Sequence, residues 1–335
     1  MKIAVVGCGA VGSFYGAKLA RAGHEVHFLL RSDYEAVRRS GVQIRSPQGD
    51  FRVRPKAARL PQEIGPSDLV LIGLKTTAND QYAGLLPPLV GEKTAILTLQ
   101  NGLGNEEQLA RLFPVDSILG GLCFVCLNRL EPGVIHHMAH GQVVIGEHLR
   151  WPEPRTHDIA GLFRHAGVPC SVTDNLARSH WEKLVWNVPF NGLGVAGVAG
   201  YEAVIGEKAV CILPSNERQP TGSGEQAGHA RFGPCLSTAT LLGDERWSKL
   251  LLEMMSEVIT AARALGFAVS DSLAGENLER TRTMGAYKAS TLIDFERGLP
   301  IELEGLFLEP LRQAKAAGVA VPRLESMCRV LKELA

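Results

Sequence analysis

The chain has 335 residues, 45% of them hydrophobic, which is more than one core usually organises, so two domains are expected. Thirty-five basic residues balance thirty-five acidic ones; with no net field and no basic run, the balance argues against nucleic acid and for a small-molecule partner. No signal peptide opens the sequence, no run of about eighteen apolar residues suggests a membrane span, and the odd count of seven cysteines argues against a disulfide framework, so a cytoplasmic location is expected.

In chain order, residues 2–7 form an apolar run ending in glycine, residues 10–22 carry a helical period, and residues 24–30 form a second apolar run, which together make a βαβ unit. Short apolar runs at 68–73, 94–99, 118–127, 141–146 and 169–172 continue the pattern of a doubly wound, mostly parallel sheet. Cys123 and Cys126 form a CxxC inside one of these runs, but no second pair or nearby His cluster completes a metal site; they read as buried strand residues, and no metal is assigned. After residue 175 strand signals become scarce, and amphipathic patterns at 176–196, 246–265, 276–297 and 302–317 predict helices. The expected architecture is therefore an α/β domain over 1–175 followed by an all-α domain over 176–335. Residues 206–244, rich in Gly, Pro, Ser and charge, read as a flexible insertion.

Gly7, Cys8, Gly9, Ala10, Val11 and Gly12 spell GxGxxG between a strand and a helix, the context that a dinucleotide-binding Rossmann fold requires. Gly7 permits the tight turn, Gly9 removes a side chain that would block a pyrophosphate, and Gly12 lets helix and strand approach, while the helix N-terminus offers free N–H groups. The second strand closes on Leu29, Leu30, Arg31 and Ser32 rather than on an acid for the ribose 2′-hydroxyl. A guanidinium suits a 2′-phosphate, so NADP(H) is preferred to NAD(H), with a solvated surface arginine as the alternative.

Further motifs lie in LIGLKT with Lys75, LQNGLGNEE with Asn101, HWEKLVWNVPFN with Lys183, Asn187 and Asn191, and YKASTLIDFERGLPIELEGL with Ser290, Asp294 and Glu302. With GCGAVG these resemble the ketopantoate reductase family, in order and over nearly the whole chain outside 206–244. The resemblance implies NADPH-dependent reduction of 2-dehydropantoate to (R)-pantoate, on the route to pantothenate and coenzyme A. It also implies roles: Asn187, Asn191 and Ser290 to bind substrate, Asn101 to meet substrate and cofactor, Lys75 and Glu302 to contact the cofactor, and Asp294 as a structural carboxylate. Lys183 is the candidate general acid, because hydride delivery to a ketone leaves an alkoxide that needs a proton. Lys183, Asn187 and Asn191 stand four residues apart and share one helical face.

Tyr201 stands where the family usually has a further Asn, which opens a second reading, a related reductase of another 2-keto acid. A third reading, of a different class, is a non-catalytic NADP-binding regulator, against which the joint presence of Lys183, Asn187, Asn191 and Ser290 argues. A 2-keto acid is the expected partner, no nucleic acid or membrane is, and a homodimer is left open.

Overall fold

The computed structural model describes residues 1–210 and 233–335. The chain forms two compact units, Met1–Ser179 and His180–Ala335.

The first unit is built on one sheet. Its strands are β1 (Lys2–Val6), β2 (Glu25–Leu29), β3 (Val42–Arg45), β4 (Phe51–Val53), β5 (Lys56–Ala58), β6 (Leu69–Ile72), β7 (Ala95–Thr98), β8 (Ile118–Glu131), β9 (Val134–Glu147) and β10 (Cys170–Val172). They lie in the order β4-β3-β9-β8-β7-β6-β1-β2-β5, with β10 beside β9. The run from β5 to β8 is parallel throughout. Its middle strands read IAVV, LVLI and AILT and are buried on both faces, as a covered parallel sheet demands. Residues of β1 alternate between two cores: Ile3 and Val5 pack with Phe14, Tyr15 and Phe28, whereas Ala4 and Val6 pack with Ile72, Tyr82 and Leu109. Val6 pairs with both Leu29 and Ile72, and Ile72 with Thr98, so β1, β2, β6 and β7 end level with one another.

The helices of this unit are α1 (Ala10–Arg21), α2 (Tyr34–Ser40), α3 (Pro61–Ile64), α4 (Tyr82–Leu85), α5 (Asn105–Ala110) and α6 (Pro154–His165). Helix α7 (Leu176–Ala196) carries the chain into the second unit, which adds α8 (Tyr201–Val204), α9 (Thr238–Gly243), α10 (Glu245–Ala264), α11 (Ser272–Arg282), α12 (Ser290–Glu296), α13 (Glu309–Ala316) and α14 (Pro322–Leu334). A short π-helix, Glu304–Leu308, leads into α13. Helix α7 is the axis of this packing because its glycines admit neighbours. A Cβ on Gly192 would stand 2.2 Å from Met327 Sδ of α14, and one on Gly194 would stand 2.8 Å from Leu292 of α12.

The fold class is the expected one, a Rossmann-type α/β unit followed by a helical unit, but several elements differ. Strands β3, β4 and β5 escape a search for apolar runs because each has three or four residues of mixed polarity held by neighbouring strands. Strand β9 starts at Val134 rather than 141 and forms a 14-residue antiparallel ribbon with β8 around Gly133. Cys123 and Cys126 lie buried on β8. The helix expected over 276–297 is interrupted between Arg282 and Ser290, where Gly285 takes a φ of 63°. Helix α14, unforeseen, starts on Pro322 at its first position and receives its cap from elsewhere: the Glu257 carboxylate of α10 accepts the N–H groups of Arg323 and Leu324, each at 2.9 Å.

The segment 206–244 is not loop throughout. Its end packs: Cys235 is buried with its N–H on Glu296 at 3.0 Å, and Ser237 caps α9 by accepting from Thr240 N–H. Residues 211–232, the centre of the expected insertion, lie outside the described residues. Among the described residues no helix is long and apolar enough to cross a membrane.

Candidate active site

Four adjacent parallel strands, in the order β2-β1-β6-β7, deliver four sets of candidate residues to one end of the sheet. This is where open α/β sheets hold their ligands. After β1, Gly7 has a φ of +90°, and a Cβ on it would lie 2.2 Å from the Leu74 backbone nitrogen. A Cβ on Gly12 would lie 2.2 Å from the Gly7 carbonyl oxygen. Both glycines are therefore demanded by packing of backbone against backbone. Gly9 differs, because a Cβ there would meet nothing within 4 Å. The space over Gly9 is open, as a pyrophosphate cradle requires.

Helix α1 begins at Ala10 with Ser13 N–H on the Gly9 carbonyl at 3.1 Å, which leaves the N–H groups of Ala10, Val11 and Gly12 without acceptors inside the helix. No acidic residue stands in its first turn to compete for an anion. The Cys8 thiol donates back to the Val5 carbonyl at 3.5 Å, and burial, aided by the nearby Asp33 charge, pushes its pKa well up. It remains a neutral thiol beside the cradle.

After β2, Arg31 is exposed, and among the described residues its guanidinium makes no hydrogen bond or ion pair. An acid does stand nearby: Asp33, two residues on, buried and occupied. Arg129 of β8 donates to it through Nε at 2.9 Å and through a second guanidinium nitrogen, Ser32 Oγ donates at 2.9 Å, and Gly133 N–H donates at 3.2 Å. Burial works to raise the Asp33 pKa, but these hydrogen bonds and the Arg129 charge outweigh it and hold the carboxyl below its ordinary range.

After β6 and β7, Lys75 is exposed and Asn101 half-buried. The loops that carry them are tied together by a polar network that is buried at Gln100 and Asn105 and half-buried at Asn79. Gln100 Nε2 donates to Asn79 Oδ1 at 2.7 Å, Asn79 Nδ2 to Asn105 Oδ1 at 3.0 Å, and Asn105 Nδ2 to the Asn101 carbonyl at 3.1 Å. Thr98 Oγ1 at 2.9 Å and the Tyr82 hydroxyl both donate to Gln100 Oε1.

In the second unit Lys183, Asn187 and Asn191 do share one face of α7. Asn187 and Asn191 are buried, and Asn191 Nδ2 donates to the Asn187 carbonyl at 2.9 Å. The Asn187 carboxamide makes no hydrogen bond among the described residues, an unspent donor and acceptor in a nearly closed setting. Pro189, inside the same helix, removes the N–H that would have bonded the Val185 carbonyl. Gly194, seven residues past Asn187, extends this face to α12, whose first residue is the exposed Ser290. The segment before Ser290 is tethered by Thr238, which donates through Oγ1 to the Gly285 and Tyr287 carbonyls at 2.7 and 3.1 Å. Glu302 is buried just ahead of the π-helix, and Asp294 lies half-buried on α12.

Tyr201 packs edge-on against Trp247, ring centroids 5.0 Å apart, with the Arg246 guanidinium over its face. It acts as a packing element of α8 and α10. Asp33, Arg129 and the Gln100 network went unpredicted; only the position of Asp33 just beyond a second strand offered a signal. Among the described residues no group of His, Cys, Asp and Glu could hold a metal ion.

The family model described as ketopantoate reductase PanE/ApbA matches residues 3–150, and that of its C-terminal part matches residues 235–335. A relative from Nostoc sp., named 2-dehydropantoate 2-reductase, is 35% identical over 99% of this chain and 95% of its own length. The crystal structure of 2-dehydropantoate 2-reductase from Geobacter metallireducens GS-15 superposes with a TM-score of 0.86 at 42% identity, covering all of both chains. That from Methylococcus capsulatus gives 0.83 at 31% identity, covering this chain fully and 96% of the other. Helix α7 falls between the two family segments and is spanned by these full-length relatives. From one end to the other, the chain belongs to the ketopantoate reductase family.

Proposed function

We propose that this protein reduces 2-dehydropantoate to (R)-pantoate with NADPH, the reductive step toward pantothenate and coenzyme A. The observation that carries the reading is the open cradle over Gly9 at an acid-free helix N-terminus, on a chain whose α7 aligns Lys183, Asn187 and Asn191. The names of its full-length relatives supply the substrate.

The bound dinucleotide supplies the hydride. The N–H groups of Ala10, Val11 and Gly12 hold its pyrophosphate, and Arg31 takes the 2′-phosphate through paired hydrogen bonds. Lys75, Asn101 and Glu302 fix the rest of the cofactor. Lys183 gives its ammonium proton to the ketone oxygen as charge develops there, while Asn187 and Asn191 orient the substrate's oxygens and Ser290 its carboxylate. With an odd number of cysteines and no net charge, the protein works as a cytoplasmic enzyme on a small acid.

The test is the initial rate of NADPH oxidation with 2-dehydropantoate beside 2-ketoisovalerate and 2-keto-3-methylvalerate. A clear preference for 2-dehydropantoate is expected. Preference for an analogue would move the assignment to another 2-keto acid, and absence of turnover with all three would remove the reductase reading.

A further inference from the structure

Asp33 poses a question that the reaction leaves unanswered. It sits just beyond β2, where an acid in a dinucleotide fold ordinarily takes the ribose 2′-hydroxyls and repels a 2′-phosphate. It also occupies the N-cap position of α2, where Asp is among the best capping residues, yet it makes no side-chain cap bond. Both usual employments are given up. Its side chain is only 8% exposed, and its oxygens receive Arg129, Ser32 and the Gly133 N–H instead. Two of these donors come from the far end of the β8–β9 ribbon, some hundred residues along the chain: Arg129 on β8 and Gly133 at the turn. The same turn is fastened to β3 by Gln43 N–H on the Gly133 carbonyl at 2.8 Å, so the donors arrive on a fixed element. Electrostatically the carboxylate is within reach of the glycine loop, since its charge acts on Cys8.

We propose that Arg129 is a positioning residue for cofactor choice: it sequesters Asp33, so that a 2′-phosphate meets the Arg31 guanidinium without a competing carboxylate two residues away. This rests on the dinucleotide reading of the α1 cradle. Without Arg129 the Asp33 carboxylate loses its bidentate partner. It then turns toward Arg31, the nearest cation in sequence whose guanidinium is unpaired among the described residues, or adds negative charge beside the phosphate. Either outcome weakens NADPH and spares NADH, which lacks the phosphate.

The experiment measures dissociation constants for NADPH and NADH by fluorescence titration of the full chain, for the parent, Arg129→Gln, Arg129→Lys and the Arg129→Gln/Asp33→Asn double variant. Arg129→Gln is expected to lower the preference for NADPH over NADH about ten-fold or more, almost entirely through weaker NADPH. The double variant returns the preference to within about two-fold of the parent, and Arg129→Lys retains most of it. Equal weakening of both cofactors by Arg129→Gln, or failure of Asp33→Asn to rescue, overturns the inference, because a merely structural role predicts both. If Arg129→Gln does not fold, Asp33→Asn alone decides: parental affinities for both cofactors support sequestration, and a loss of NADH affinity shows Asp33 on the ribose and overturns it. A parent that binds neither dinucleotide would instead overturn the reductase reading, and this inference with it.

Discussion

The glycine loop after β1 and the polar face of α7 offer binding groups of opposite kinds. At the end of β1 the groups on offer are backbone N–H donors, and the sequence matters there mainly through the Cβ atoms it omits. On α7 the backbone is consumed in the helix, and what remains on offer is side chains repeated every four residues. The first arrangement would tolerate Cys8, Ala10 and Val11 as they stand, since a backbone cradle does not read side chains. The second has less freedom, since it offers one ammonium, that of Lys183, and two carboxamides, those of Asn187 and Asn191, on one face.

The contrast predicts which property each substitution damages. Lys183→Ala should lower turnover by about two to four orders of magnitude while the NADPH dissociation constant stays near the parent's, checked by steady-state kinetics beside a binding titration. Near-normal turnover would show that α7 does not supply the acid.

The glycines of the loop should separate from one another. Gly9→Ala, whose Cβ enters open space, is expected to weaken NADPH about ten- to hundred-fold at unchanged melting temperature. Gly7→Ala forces both a left-handed backbone and a 2.2 Å contact, and should cost about 2–4 kcal/mol of stability. Thermal melts with and without cofactor distinguish them; parallel behaviour would mean that the loop is structural only.

A stability effect confined to the second unit should follow from Glu257→Ala, which uncaps α14. It costs about 1 kcal/mol and lowers the melting temperature by about 2–4 °C, with no change in KM for cofactor.

The smallest effect concerns acid. Asp33 has a depressed pKa in the folded protein, so its stabilisation is complete above the unfolded value near 4 and disappears as pH falls through the folded one. Urea midpoints measured downward from pH 5 should fall less steeply in Asp33→Asn than in the parent. Identical slopes would mean that the Arg129 pair is not formed in solution.

How far the sequence could be read divides along the same line. Near-continuous apolar runs disclosed β1, β6 and β7, as strands buried on both faces demand, and β2, although Glu25 and His27 interrupt it. Nothing comparable marks VQIR, FRV or KAA, whose pairing is decided by strands distant in sequence. The β8–β9 ribbon was half legible: its inner part is apolar, but VIHHMAH alternates with histidines, one of which, His137, is buried against Ser46 and the His140 carbonyl. In the second unit α10 carries a plain amphipathic period and α14 one just as plain, with Pro322 at its first position, so α14 was legible although its cap, lent by Glu257, was not; α7 is buried all round over its second half and reads as helix by its length. Candidate site residues could be named where a motif concentrates them. Asp33 and Arg129 could not, because their meaning lies in a pairing across 96 positions.

The Asn79–Gln100–Asn105 circuit, with Tyr82 and Thr98, also constrains how this protein can be altered. Each member consumes a partner's hydrogen-bonding capacity, and around Gln100 the setting is buried, so replacing Tyr82, Thr98 or Gln100 leaves another with an orphaned amide or hydroxyl. A mutant library that varies these positions one at a time would return little but the parent, whereas randomising them together would let alternative circuits close. The loops bearing Lys75 and Asn101 are thus inherited as a set, and attempts to alter them should begin from residues outside the circuit.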